Sequence, residues 1–214
     1  MAKQSLDAFL ELVPARKMTA QIGGESLDAE RKEGGKGRAI IEIMSFRFGD
    51  AKSLAKAKEA EKKASARAGD DDEEEAGVPL SGGKRSGKVE DDYRFQITKQ
   101  IEKSTPFFAQ AYFSNSFKPK RQEYNSFAEA KIVVRKMGAH AKHPHSFFTL
   151  TFRGVYVVGY DLQTQGPEPP EETIDFCFQT CEMSYKPQLA DGTLGAANAK
   201  GWNFIAQKEI AAGR

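Results

Sequence analysis

The chain has 214 residues and a mass of 23.6 kDa, with Lys plus Arg at 32 against Asp plus Glu at 30. A net charge of +2 supplies no broad positive field of the kind generic nucleic-acid binding needs. A mean hydropathy of -0.58, with every apolar run far short of the ~18 residues that span a bilayer, argues against membrane insertion.

The first thirty residues carry Lys3, Asp7, Glu11, Arg16 and Lys17 between their apolar positions, so no secretory h-region is read there and the chain is expected in the cytoplasm first. Residues 7–13 make a weak strand candidate. Residues 39–48 (AIIEIMSFRF), bounded by GGKG and GD, make a clear one. From residue 51 to 68 Ala, Lys and Glu dominate with no apolar face, which predicts either a solvated helix or no regular structure. Residues 51–69 carry a net +4 and the next six, Asp70 to Glu75, carry -6. Opposed blocks of this kind are interaction segments more often than core.

Tyr93, Phe95 and Ile97 alternate with Arg94 and Gln96, the period-2 pattern of a half-buried strand. Ser104 is placed to cap a helix with Pro106 in its first turn and a stripe of Phe107, Phe108, Ala111 and Tyr112. Residues 130–137, 147–158 and 173–185 read as further strands, separated by the turn-rich HAKHPH and QGPEPPEE segments. Two of them change phase, one across Arg153 and Gly154 and the other at Gln179 and Thr180. Matched bends curl a sheet, so the fold expected is mainly β: a small antiparallel β-barrel, closed or nearly so, with one docked helix and a long charged insertion over residues 51–92. The whole chain, 1–214, is expected to form a single domain around that barrel.

Candidate chemistry is thin. Residues 82–88 (GGKRSGK) fit seven positions of a phosphate-binding loop, but Val89 stands where the magnesium-holding hydroxyl belongs and no buried strand feeds the loop, so a flexible linker is preferred. His140, His143 and His145 cluster without a fourth ligand nearby. Cys177 and Cys181 lack C-x-x-C spacing and, on one strand, would stand about 13 Å apart, beyond disulfide reach; they read as buried filler. Glu25, Asp28 and Glu42 cannot be paired into an acid/base couple from spacing alone. Residues 113–124 interleave aromatics with basic side chains and could meet single-stranded nucleic acid, though a solvated loop is preferred. No catalytic residue, metal or cofactor is expected.

Several segments, taken in order, resemble the haemolysin-coregulated proteins, Hcp. These are Gly24-Glu25-Ser26 with Asp28, then Ile41-Glu42-Ile43-Met44-Ser45-Phe46 ending in Gly49, then Phe95-Gln96-Ile97-Thr98-Lys99. Glu102-Lys103-Ser104-Thr105-Pro106, Tyr185-Lys186-Pro187-Gln188, Asp191-Gly192 and Gly201-Trp202 continue the series. Phe46 stands where many relatives have Trp, and the stretch after Gly49 is longer and more charged than usual.

The resemblance implies a structural subunit of the type VI secretion tube, assembling as homohexamers whose rings stack. Its implied partners are further copies of itself, sheath proteins, a VgrG-type spike and small effectors in the lumen, with export from the cytoplasm by contraction rather than by a cleaved signal. It also places the insertion near the next ring, so Lys56, Lys62, Asp71 and Glu74 are candidate ring-stacking contacts, against the plain alternative of a solvated loop. Alternatives of other kinds are a subunit of a related contractile particle or phage tail, a single-strand nucleic-acid-binding barrel and a small hydrolase.

Overall fold

The computed structural model describes residues 6–15, 39–50, 93–117, 126–136, 144–164 and 167–211. Among these described residues ten strands and one helix follow in chain order: β1 (Leu6–Pro14), β2 (Ala39–Ile43), β3 (Ser45–Asp50), β4 (Tyr93–Gln100), α1 (Thr105–Phe117), β5 (Ser126–Lys136), β6 (His145–Gln163), β7 (Glu171–Cys177), β8 (Thr180–Tyr185), β9 (Asn198–Asn203) and β10 (Lys208–Ile210). Every ladder is antiparallel.

The long strand β6 organises the sheet. Its first half lies between β5, which leads on to β1 and β2, and β8, which leads on to β9 and β10. Its second half passes to β7, then β4, then β3. The segments read from the sequence as one strand at 39–48 and another at 173–185 are each two strands. Met44 breaks the first, and Phe178 with Gln179 breaks the second.

The second break explains why the sheet forks. Gly154 on β6 takes a φ of +64°, and a side chain there would meet the side chain of Gln179 at 2.6 Å, so glycine is required on both counts. Gln179 N–H donates to Arg153 O at 2.9 Å, and Gln179 O accepts from Phe204 N–H at 3.0 Å. The two phase changes expected from the sequence thus lie opposite each other and form one corner. Before it β7 pairs with β4, and after it β8 pairs with β9.

The barrel expected from the sequence, closed or nearly so, is a ten-stranded sheet rolled around a core and not closed as a ladder. Among the described strands β2 pairs with β1 and β3 with β4; the circuit between them is made by the chain itself at Met44, whose N–H donates to Thr98 O at 2.8 Å. The corner, for its part, leads β8, β9 and β10 away along the first half of β6.

Inside the roll Phe95 stacks between Phe152 at 4.2 Å and Phe176 at 4.6 Å. Helix α1 closes one end. The expected stripe is present, with Phe108 and Ala111 buried and Phe107 and Tyr112 half-buried, and the Phe108 ring meets Phe176 edge-on at 5.9 Å.

Candidate assembly surfaces

The four charged residues expected at a ring-stacking contact, Lys56, Lys62, Asp71 and Glu74, lie outside the described residues, as do the Gly-Lys loop at 82–88, Glu25, Asp28, His140 and His143. His145 heads β6 and Glu42 is exposed on β2. Among the described residues no three His, Cys, Asp or Glu side chains converge on a point. Cys177 and Cys181 are buried and form no disulfide, and burial, followed by the Glu182 carboxylate, pushes the Cys181 thiol up to about 12. A thiol held protonated in this way is packing material rather than a nucleophile.

The strand-to-helix junction holds an ionic knot. Lys99, 1% exposed, leaves β4 and reaches Glu172 of β7, fully buried, at 2.5 Å; its Nζ also lies 3.3 Å from Glu102 and donates to Gln100 O at 3.0 Å. Thr105 donates its hydroxyl proton to the same Glu172 oxygen at 2.7 Å, while its oxygen accepts from Glu102 N–H at 3.0 Å. Ser104 occupies the cap position expected of it, since its carbonyl accepts Phe108 N–H at 3.1 Å, but its hydroxyl donates to Glu102 instead of receiving a helix amide. The nearby Tyr160 hydroxyl is held above its usual range, by burial first and by Glu172 second. A buried lysine and carboxylate need partners for their protons and lone pairs, and here the turn before α1 helps supply them to Lys99 and to one Glu172 oxygen, while the other, Oε2, is left without a hydrogen bond. The knot is structural: it ties β4, β7 and α1 together.

The second feature is a surface the sequence did not announce. Across the ladders, Ala130, Phe152, Cys181 and Trp202 stand in one row, and Ile132, Leu150, Met183 and Lys200 in the next. The row begins in the core and ends in solvent. Ala130 and Phe152 are fully buried, whereas Trp202 is 41% exposed; Met183 at 41% and Tyr185 at 46% share the open face. A groove of about 470 Å³ runs there over Cys181, walled by Met183, Lys200, Trp202, Phe204 and Glu209. Strands β9 and β10 carry it, and neither was read from the sequence, since NAKGWN lacks a β-branched run. The only advance signal was Gly201-Trp202 itself. Gly201 is needed, because a Cβ there would meet Ile210 at 2.5 Å.

Residues 65–185, more than half of the chain, match the family described as "Type VI secretion system effector, Hcp". The chain belongs to the Hcp family. Membership makes it a tube subunit of type VI secretion, from a family that is secreted and forms hexamers. No curated protein sequence matches it.

The fold of this Hcp-family chain is similar to that of solved relatives. A structure described as a type six secretion system protein aligns over 96% of this chain and 100% of its own length, with 20% identity and a TM-score of 0.60. Hcp1 from Salmonella typhimurium aligns over 96% and 99%, with 18% identity and a TM-score of 0.57. A type VI secretion system effector from Yersinia pestis aligns over 92% and 99%, with 15% identity and a TM-score of 0.53.

Proposed function

We propose that this chain works as a building block without chemistry of its own: hexameric rings stack into an inner tube, a contracting sheath drives the tube outward behind a VgrG-type spike, and small effectors ride in the lumen. The observation that carries the reading is the family match over residues 65–185, joined to a rolled sheet that aligns along nearly the whole of solved type VI chains. The rolled sheet suits the role, because one rigid protomer must present both a lateral contact that closes a ring and an axial contact that stacks rings.

Residues 51–92 belong to this reading as a charged insertion within one domain. The basic stretch holding Lys56 and Lys62 and the acidic stretch holding Asp71 and Glu74 would meet across stacked rings, each exposed pair adding only ~0.2 to 1 kcal/mol, so repetition around the ring carries the effect. Electron microscopy of the purified protein tests the main reading: six-fold rings with an open centre are expected, and strictly single-copy protein at high concentration overturns it. Deleting residues 52–88 tests the insertion. Rings should persist while tubes shorten at low salt, and unchanged tube length defeats the stacking role.

A further inference from the structure

We propose that the open face of β8 and β9, centred on Met183, Tyr185 and Trp202, is one half of a head-to-tail contact, and that its occupant is the acidic end of β6 in a neighbouring copy. The proposal rests on the ring-subunit reading above and names the faces that would close the ring.

A ring built from identical subunits needs two different patches per protomer, whereas a patch that meets itself gives only a twofold dimer. The described surface offers two such patches. The first is the open face, where Trp, Tyr and Met, side-chain types enriched at interface centres, stand beside a groove. The second lies beside α1, where Leu162 of β6, Phe113 of the helix and Ile101 just past β4 are exposed, and where Tyr112, next to Phe113, stacks on Tyr160 of β6 at 6.4 Å. Leu162 stands opposite Glu172 in the ladder, and Ile101 N–H donates to Pro170 O at 3.1 Å, which brings these segments to one end.

Both patches arise in the same way. Leu150, the partner of Met183, and Leu162 point to the roll's inner side at two places on one strand, about 40 Å of chain apart at ~3.3 Å per residue. At each place that inner face runs past whatever covers it. The two patches thus sit on different halves of β6, on either side of the Gly154 corner, so that one protomer presents two distinct surfaces.

Charge agrees with the pairing. Lys200 lies on the open face with Glu209, Lys186 follows Tyr185 just past the end of β8, and Lys208 shares the other face with Glu182, so this edge of the sheet carries these three lysines against these two glutamates. The far end carries Asp161, Glu168 and Glu171 against Lys103, with Glu102 engaged by Lys99 and Ser104. A weakly positive edge therefore meets an acidic one, which would favour this direction of docking.

Two variants of the full chain, Tyr185→Cys and Leu162→Cys, test the pairing with a short bis-maleimide cross-linker. Mixing the two singles should give covalent dimers that neither gives alone, and the double variant should give a ladder ending at the hexamer. Self-cross-linking of Tyr185→Cys, or ring-forming protein with no mixed product, overturns the proposal. Independently, Trp202→Glu should raise the concentration for half-assembly by about thirty-fold or more, the loss expected of an aromatic at an interface centre. If wild type forms no rings, the tube reading itself fails. If wild type forms rings and Trp202→Glu forms them equally well, only this choice of faces fails, and should that variant misfold the cross-linking decides.

Discussion

The two halves of β6 carry the same alternation of side chains and meet different fates. The second half, beyond Gly154, is sealed until its last residues near Leu162: Val155 and Val157 are buried, α1 covers the end and the Lys99–Glu172 knot ties the closure. The first half begins sealed at Phe152 and Leu150 but hands its inner face to β8 and β9, which carry it into water. One strand thus supplies stability along its covered stretch and interaction surface where its inner face leaves cover. The difference lies in what covers the face, not in the residues that compose it.

Substitutions at the sealed half should unfold the protein, and those at the open half should disassemble it. Phe95→Ala removes the ring sandwiched between Phe152 and Phe176 and should cost about 3–5 kcal/mol, measured by urea denaturation. Lys99→Met leaves Glu172 buried without its cation and should cost a comparable ~3–5 kcal/mol, whereas the double change Lys99→Met, Glu172→Leu should recover most of it. If the single and double variants are equally unstable, the pairing is not what holds the junction. Gly154→Ala, forced against both a positive φ and the Gln179 side chain, should cost about 1–3 kcal/mol and loosen the corner.

Trp202→Ala should change the stability of the isolated protomer by at most about 1 kcal/mol, since the side chain is already in solvent, and a larger loss would show that the open face is part of the core. The smallest effect is in alkali. The Cys181 thiol keeps its proton in the fold up to about 12, whereas in the unfolded chain it ionises near its ordinary 9.0. Its contribution is therefore complete below the lower value and declines as pH rises towards the upper one. Tyr160 shifts in the same sense. Melting temperatures between about pH 8 and pH 11 should fall for wild type and fall less for Cys181→Ala.

Where side chains alternated or clustered locally, the sequence was enough. The YRFQI pattern gave β4, and Ser104 and Pro106 gave the start of α1. Strand β1 was faint because Asp7 and Glu11 interrupt it. Both are tolerated in the fold, Asp7 beside Arg135 at 3.7 Å and Glu11 buried. The junction motif exposed Lys99 and Glu102 but not Glu172, which sits at the end of a proline-rich segment that reads as pure turn. Its burial follows from partners such as Thr105, 67 residues away, and no local pattern encodes that. The open face was invisible for a related reason. Trp202 lies in a run without strand character, and its row is defined by registers across three ladders.

The corner at Gly154 and Gln179 places a parity constraint on every descendant of this sequence. Because neighbouring positions on a strand point to opposite sides, losing a single residue there would turn β8 inside out, sending Glu182 inward and Met183 outward while leaving β7 undisturbed. Length variation should consequently be tolerated between β8 and β9 but only by even steps, if at all, at the bend.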